Sequence, residues 1–279
     1  MQFDGGEATA GAPPLPVIAS NVMKLADLFA RRPMITLNHD GKTASGNCAE
    51  SNTDSAAFQS ARGDMVDRQL RKRDIRSPRV LEAMFRIPRH LFVPPEHMDD
   101  AYTDSPLPIG VGQTISQPYM VAAMAEALLL EGSEKVLEIG AGSGYQAAVL
   151  SVLAREVTAV ESQSSLADAA RARLERLGYK NVRVQTGDGS VGWPPNAPYD
   201  AILVTAGAPY VPPPLLEQLA EGGRLVIPVG PAKQQELLRI FKSEGRTRQE
   251  SLVACRFVPL LGLFGWPSPS PVEGESSRG

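Results

Sequence analysis

Short apolar runs alternate with amphipathic segments through the second half of the chain, and this alternation limits the possible folds more than any other feature. Four short segments predict strands, at residues 135–139, 156–161, 182–186 and 199–205, and the first of them is expected to be buried. Residues 145–153 and 166–177, which lie between these runs, have the apolar spacing of helices. Because strands that alternate with helices over short connections pair in parallel, the pattern predicts an α/β fold with a doubly wound, mostly parallel sheet.

Further elements are predicted on both sides of this region. Residues 62–72, 77–86 and 119–130 have helical spacing, which places helices N-terminal to the sheet. We expect residues 237–241 and 252–258 to form later antiparallel strands, so that the sheet has an antiparallel C-terminal edge.

One domain is predicted, with a disordered segment at each end. Residues 1–60 are rich in Gly, Ala, Pro, Ser, Thr and Asn, and they have little to bury outside a short helical patch at 22–31. The Pro- and Ser-rich tail at 267–279 has the same character. Hydrophobic residues make up 43% of the 279 residues, which is enough for one sizeable core over residues 61–266.

Charge and composition argue against several classes of protein. The formal net charge is −3 and Lys/Arg dominates no segment, so the sequence shows no footprint for nucleic acid. No apolar stretch reaches the roughly 18 residues that a membrane span needs. The first residues lack the basic and then apolar order of a secretory signal, and we expect a cytoplasmic protein. Cys48 and Cys255 have no partner spacing and are expected to be free thiols.

The first strand-to-helix turn has the sequence Glu-Ile-Gly-Ala-Gly-Ser-Gly-Tyr over residues 138–145. Glycines in such a turn let the backbone approach a ligand, here through Gly140, Gly142 and Gly144. The third glycine comes one residue earlier than in the dinucleotide fingerprint, and Glu138 stands two residues before the first. An acid at this place disfavours a pyrophosphate. It suits a cationic ligand such as the amino and sulfonium groups of S-adenosyl-L-methionine.

Two further acids follow the next two strands. Glu161 ends the second strand, where a carboxylate can accept hydrogen bonds from both hydroxyls of a ribose. Asp188, followed by Gly189, comes after the third strand and could accept a hydrogen bond from an adenine amine. The glycine turn, or an acid at the end of a strand, is by itself typical of an ordinary loop. Because three such features follow three successive strands, together they predict a nucleoside site.

A long motif lies upstream, at residues 102–122. It reads Tyr-Thr-Asp-Ser-Pro-Leu-Pro-Ile-Gly-Val-Gly-Gln-Thr-Ile-Ser-Gln-Pro-Tyr-Met-Val-Ala, and it resembles the signature segment of protein-L-isoaspartate O-methyltransferases almost residue for residue. The resemblance continues through the glycine turn and through residues 187–189, 222–230 and 257–260, so that it covers residues 62–266. It implies a Rossmann-like fold, S-adenosyl-L-methionine as cofactor, S-adenosyl-L-homocysteine as product, and isoaspartyl-containing proteins and peptides as substrates. We expect a monomer.

The resemblance also implies roles for single residues. Ser116 maps onto the active-site serine, and the stretch ending there maps onto a wall of the cofactor pocket, which adds Gln113, Thr114 and Ile115. Further cofactor contacts map onto Glu138, Glu161, Asp188 and Gly189. The chain departs from the family pattern at Leu261, which replaces a polar residue that some members have near the cofactor, at Ala141, where bacterial members often have Thr, and at Gly207.

The implied chemistry needs little from the protein beyond alignment. A carboxylate acceptor with a pKa of about 4 is already ionised at neutral pH, so displacement at a sulfonium methyl needs no general base and no metal. The three histidines, His39, His90 and His97, have no metal-binding spacing, and the two near the proline pair at 94–95 are expected to be solvated. Ser116 would act as a hydrogen-bond donor that holds the acceptor carboxylate; otherwise it is a turn serine bonded to its own backbone.

Three other functions stay open. One is a methyltransferase acting on RNA or a small molecule, although no basic, aromatic-lined surface is evident for RNA. Another is a protein that binds the cofactor without catalysis and serves as an interaction module. The third is a relative that esterifies the Asp of one dedicated peptide.

Several other residues are expected to have structural roles only. We expect Trp193 and Trp266 to be packing residues and the set Arg171, Arg173 and Arg176 to form a solvated helix face.

Overall fold

The computed structural model describes residues 54–267. Within them, seven strands form one sheet, and two strands form a separate hairpin. The hairpin consists of β1 (Leu107–Gly110) and β2 (Gln113–Ile115). The strands of the large sheet are β3 (Lys135–Ile139), β4 (Glu156–Glu161), β5 (Val182–Thr186), β6 (Tyr199–Val204), β7 (Leu219–Val229), β8 (Gln235–Ser243) and β9 (Arg246–Cys255).

Six α-helices accompany these strands in the described residues. They are α1 (Ala56–Asp64), α2 (Pro78–Arg86), α3 (Pro118–Ala127), α4 (Tyr145–Leu153), α5 (Ser164–Arg176) and α6 (Pro213–Gln218), and a π-helix at Met65–Arg71 continues α1. The serine hydroxyls of Ser55 and Ser77 cap α1 and α2 by accepting from backbone N–H groups three residues on. All helices predicted between residues 62 and 177 are present, with ends shifted by a few residues.

The sheet confirms the predicted doubly wound arrangement. Strands β5, β4, β3, β6 and β7 pair in parallel, whereas β8 and β9 add antiparallel at one edge. The chain moves outward from β3 through β4 to β5 and then returns to the other side of β3 with β6, which creates the switch point at which such folds bind ligands. Strand β3 is buried on both faces from Val136 onward, as is typical of a central parallel strand.

The hairpin of β1 and β2 was not expected from the sequence. Its strands have only four and three residues, too few to show a period of two. The turn between them places Gly110, Val111 and Gly112 at φ of 92°, 52° and 67°, which glycine tolerates and valine rarely adopts. The hairpin leads directly into the segment that carries Ser116.

The N-terminal boundary of the domain lies earlier than predicted. The sequence predicts a disordered extension up to residue 60, but residues 56–60 form the start of α1. Phe58 stacks on His90 with ring centroids 4.0 Å apart, and Asp54 pairs with the buried Arg62 at 2.8 Å. The contact of Phe58 with His90 joins residues 32 positions apart, a separation that no local pattern reports. The remainder of the predicted extension, including residues 22–31, and the tail from 268 onward lie outside the described residues.

Two predictions of solvated side chains were wrong. His90 is buried rather than exposed, with Nδ1 2.8 Å from the Tyr102 hydroxyl, and this burial lowers its pKa. The loop folds under α1, which covers the ring. Arg173 is half-buried, and its guanidinium donates to the carbonyl oxygen of Ser143 at 2.8 Å. It therefore ties α5 to the glycine turn instead of forming part of a free helix face.

The N-terminal contacts predict different outcomes for two truncations. Deleting residues 1–53 should leave the free energy of unfolding near that of the full chain. Deleting residues 1–60 should lower it by about 2–4 kcal/mol, because the buried Arg62 loses its carboxylate and His90 loses its aromatic cover. Urea unfolding measures both, with Phe58→Ala in the full chain as a matched control. Equal stability of the two truncations would contradict this account of α1.

Candidate active site

A pocket opens at the carboxyl ends of β3, β4 and β6, at the switch point of the sheet. Its walls come from the β2 segment, the glycine turn, the ends of β4 and β6, and a C-terminal segment. The site residues predicted from the sequence that line it are Gln113, Thr114, Ile115, Ser116, Gly140, Gly142, Glu161 and Gly189. Glu138, Gly144 and Asp188 lie behind these walls and are described separately below.

The glycine turn has the backbone shape that its sequence predicted. Gly140, Gly142 and Gly144 all have positive φ, at 95°, 52° and 85°. A Cβ on Gly140 would lie 2.5 Å from the hydroxyl of Thr205, which itself donates to the carbonyl oxygens of Ile139 and Gly140. Gly144 faces α5 instead, where a Cβ would meet Leu174 at 3.2 Å. Its role is to let the turn pack closely rather than to face a ligand.

Glu161 supports the turn and faces the pocket. It is buried at the end of β4, where Oε2 accepts from the N–H of Gly142 at 2.8 Å and Oε1 accepts from the N–H of Gln163 at 3.0 Å. Oε1 also accepts from the hydroxyl of Ser162 at 3.4 Å, so both of its lone pairs are used, whereas Oε2 keeps one lone pair for a further donor. The side chain can thus shape the turn and accept a hydrogen bond from a ribose hydroxyl at the same time.

Glu138 is a buried carboxyl group without a partner in the described structure. It is fully buried on β3, and neither of its oxygens accepts a hydrogen bond from any described residue. Burial raises its pKa well above the usual range, and the nearby charge of Glu161 adds to this. Buried polar groups are normally satisfied, so an orphaned acid next to a ligand pocket indicates a place for a cationic group.

This environment predicts an opposite effect of one substitution on stability and on binding. Because the folded-state pKa of Glu138 is raised, its contribution to stability is present below the unfolded value of about 4.3 and is lost as the pH rises toward the folded value. Glu138→Gln removes the buried charge, so the variant should be more stable than the parent at pH 8 by about 1–3 kcal/mol, with little difference near pH 4.5. Thermal unfolding across this pH range measures it.

The affinity of the Glu138→Gln variant for a cationic ligand should fall, although its stability at pH 8 rises. A neutral amide cannot match a carboxylate as partner of a cationic ligand, and loss of a hydrogen bond to a charged group is worth about 1.5–3 kcal/mol. Calorimetric titration of the same variant with S-adenosyl-L-methionine should therefore show weaker affinity. A variant that is less stable at pH 8, or binds as tightly as the parent, would contradict the assignment of Glu138.

Asp188 and Gly189 follow β5 and have separate tasks. A Cβ on Gly189 would lie 2.4 Å from Cγ2 of Ile139, so only glycine lets the backbone pass here along the pocket floor. Asp188 caps a short 3₁₀ helix, with Oδ1 accepting from both the N–H and the hydroxyl of Ser190. Oδ2 accepts from the N–H of Leu263 at 2.8 Å and keeps capacity for one more donor, such as an adenine amine.

Ser116 stands where β2 passes into α3. It is half-buried in the pocket wall, and its hydroxyl forms no hydrogen bond to any described residue. The N-cap position of α3 belongs to Gln117, which forms no side-chain cap and instead donates to Asp104 Oδ1 at 2.8 Å. The alternative of a turn serine bonded to its own backbone is therefore not seen, and the hydroxyl is free to donate into the pocket.

The C-terminal wall is the part of the site that the sequence indicated most weakly. Four consecutive residues form it, namely Val258, Pro259, Leu260 and Leu261. The wall is attached through β-bridge hydrogen bonds to Gly207, whose N–H donates to Val258 O at 2.8 Å. No polar side chain marks this stretch, and the only sequence signal was the family resemblance around residues 257–260 and the departure at Leu261.

Neither a metal site nor a membrane helix is evident in residues 54–267. No group of three or more His, Cys, Asp or Glu side chains in this part of the chain could hold a metal ion. None of its helices is long and apolar enough to cross a membrane.

A doubly wound sheet with an acid before its glycine turn and a second acid at the end of the next strand defines the class of Rossmann-like methyltransferases. The family model described as Protein-L-isoaspartate(D-aspartate) O-methyltransferase (PCMT) matches residues 60–264. The chain belongs to this family.

Individual relatives agree with the family match. The chain is 56% identical over 212 residues to the protein-L-isoaspartate O-methyltransferase of Syntrophus aciditrophicus, covering 75% of this chain and 97% of the relative. It is 55% identical over 205 residues to that of Methanoculleus marisnigri, covering 74% and 93%. A solved protein-L-isoaspartate O-methyltransferase matches with 32% identity and a TM-score of 0.67, covering 73% of this chain and 67% of that one.

A second solved structure shows the same fold. It is a putative protein-L-isoaspartate O-methyltransferase from Plasmodium falciparum in complex with S-adenosyl-L-homocysteine, with 24% identity and a TM-score of 0.63, covering 73% of this chain and 98% of that one.

Proposed function

We propose that this chain transfers a methyl group from S-adenosyl-L-methionine to the free carboxylate of isoaspartyl residues in proteins and peptides. The observation that carries the proposal is the unpaired hydroxyl of Ser116, which faces a pocket built as a nucleoside site and belongs to the family's signature segment. The family match and the relatives at about 55% identity support the same activity.

The pocket residues fit the proposed cofactor. Glu161 offers a free lone pair of Oε2 to a ribose hydroxyl, and the orphaned Glu138 offers a negative charge to the amino or sulfonium group. Gly140 and Gly189 supply backbone surfaces that a Cβ would obstruct. Gln113, Thr114 and Ile115 form the opposite wall. When bound, S-adenosyl-L-methionine supplies an electrophilic methyl group on a positively charged sulfur.

The protein's own part in the reaction is to bind, align and exclude water. The acceptor carboxylate is ionised at neutral pH and provides the electron pair of the new carbon–oxygen bond, while the carbon–sulfur bond breaks to give S-adenosyl-L-homocysteine. No proton has to move, so no general base is needed. Donation from Ser116 Oγ to one carboxylate oxygen would hold the other in line with the methyl group. Alignment by the whole site can supply about 7–11 kcal/mol, of which one donor contributes a part.

A single assay tests the proposal. Incubation with methyl-labelled S-adenosyl-L-methionine and an isoaspartyl peptide should label the peptide through an ester that releases methanol in mild base. A label that is stable in mild base would contradict the proposal that a carboxylate is the methyl acceptor. Cofactor binding without any transfer would favour the non-catalytic interaction protein, and transfer confined to one natural peptide would favour a dedicated relative. The expectations of a monomer and of a cytoplasmic location stay predictions.

A further inference from the structure

The C-terminal wall of the pocket belongs to a segment that we call the C-terminal strap, residues 258–266. Its attachment to the body of the protein starts at Gly207, which accepts from the N–H of Leu260 at 2.8 Å and from the indole N–H of Trp266 at 3.1 Å. The N–H of Trp266 also donates to the carbonyl oxygen of Leu260 at 2.7 Å, which folds the strap back on itself. The strap thus enters and leaves the same corner of the pocket.

The middle of the strap is held by two side chains from the turn after β5, Asp188 and Ser190. Ser190 is fully buried, and its hydroxyl donates to Asp188 Oδ1 at 2.7 Å while it accepts from the N–H of Phe264 at 3.0 Å. Asp188 Oδ2 accepts from the N–H of Leu263 at 2.8 Å. We call this set of hydrogen bonds the latch.

The strap backbone packs so closely against the latch that position 262 has no room for a side chain. Gly262 lies directly over it, and a Cβ at that position would be 2.0 Å from Asp188 Oδ1 and 2.6 Å from Ser190 Oγ. The backbone there has φ of 144°, which other residues rarely adopt. Only a glycine lets the strap approach the two side chains so closely.

Apolar packing contributes little to holding the strap. Leu260 is buried, but Leu263 is 76% exposed, and Leu261, Phe264 and Trp266 are only half-buried. A segment with few buried apolar contacts opens at a low free-energy cost unless polar contacts hold it. The hydrogen bonds at Gly207 hold the two ends of the strap, and the latch holds its middle, so that together they keep the wall at Leu260 and Leu261 in place.

We propose that Ser190 is a positioning residue, whose hydroxyl joins Asp188 to the C-terminal strap and so sets how tightly the pocket closes over its cofactor. The inference rests on the proposed assignment of this pocket to S-adenosyl-L-methionine. It accounts for the loss of a polar side chain at position 261, because the wall is held by its backbone and by the turn after β5. Cofactor exchange then requires the latch to open.

The test measures cofactor binding and release rather than methyl transfer. Ser190→Ala should weaken the affinity for S-adenosyl-L-homocysteine about tenfold and speed its release by a similar factor, because one hydrogen bond to a charged group is lost. Gly262→Ala, which pushes on the latch from the strap side, should have the same effect. Ser151→Ala is the matched control, since it removes another buried serine hydroxyl, on α4, that bonds only to Ala148 O.

A spectroscopic signal separates this role from a general loss of stability. The chain has two tryptophans, so Trp193→Phe leaves Trp266 in the strap as the sole indole reporter. In that background, acrylamide should quench Trp266 more strongly after Ser190→Ala or Gly262→Ala, and S-adenosyl-L-homocysteine should reduce the quenching. The KM for peptide should not change.

Two results would overturn the proposal. One is unchanged release of S-adenosyl-L-homocysteine in both variants while their unfolding temperatures fall, because the latch would then be only structural. The other is equal quenching of Trp266 with and without the latch. Failure of the proposed methyl transfer to isoaspartate would leave both readouts intact, since neither needs an acceptor, whereas absence of any cofactor binding in the parent chain would remove the proposed function itself.

Discussion

Given two peptides of identical sequence, one with isoaspartate and one with aspartate, we expect methylation of the isoaspartyl peptide to be faster by at least about 100-fold. In an isoaspartyl residue the chain continues through the side-chain carboxyl group, and the α-carboxylate is left free. A normal aspartyl peptide bound in the same way would place its carboxylate about one bond length out of line. Misplacement of about 1 Å at a reacting centre is enough for a loss of this size.

The structure supports discrimination of this kind because the acceptor side of the pocket is firmly held. Ile115 is buried, and Pro118 begins α3 directly after the Ser116 segment. Gln117 donates to both the side chain and the backbone carbonyl of Asp104, and Asp104 pairs with Arg73 at 3.3 Å. The backbone on both sides of Ser116 is held in this way, so the position of its Cα, and with it the reach of the hydroxyl, is limited.

The measurement is the initial rate of S-adenosyl-L-homocysteine formation with each peptide at equal concentration, over several flanking sequences. Little dependence on the neighbouring residues is expected. If the aspartyl twin reacts as fast as the isoaspartyl peptide, repair of damaged proteins is the wrong function and the dedicated-peptide alternative is favoured.

The second large effect concerns Ser116→Ala. We expect turnover with an isoaspartyl peptide to fall by more than about tenfold while the affinity for S-adenosyl-L-methionine stays nearly unchanged. Loss of one preorganised donor at a reacting centre is worth about 1–4 kcal/mol, and the free hydroxyl of Ser116 has no partner in the described residues whose loss would disturb the fold.

Ser105→Ala is a matched control for this variant. Ser105 belongs to the same signature segment, but its hydroxyl bonds to Thr103 Oγ1 at 3.0 Å and it does not line the pocket. It should leave both turnover and affinity near the parent values. Undiminished turnover in Ser116→Ala would return the acceptor-holding role to backbone groups, and a parallel loss of cofactor affinity would mean that the serine shapes the cofactor pocket instead.

Much of the parallel sheet was predictable because its signal is local. The predicted bounds of the strands at Lys135–Ile139 and Val182–Thr186 agree with the structure. The first is buried from Val136 onward, as is typical of a central parallel strand, whereas the second lies at the sheet edge and alternates apolar with polar residues. The positive φ angles of the glycine turn and the position of Glu161 beside it followed from the same order of elements. The hairpin of β1 and β2 could not be predicted, because strands of three or four residues are too short to show a period of two.

The sequence by itself determined the α/β class, the glycine turn with its two acids, and the segment that delivers Ser116, because each depends on residues that are neighbours along the chain or on the order of strands. Only the tertiary structure decided the burial of His90 beneath Phe58, the second task of Asp188, and the wall formed by the C-terminal strap. The hydrogen bond from Leu263 to Asp188 joins residues 75 positions apart. No pattern of hydrophobicity, turn chemistry or spacing reports a contact of that range, because it exists only once the sheet has brought the two segments to the same edge.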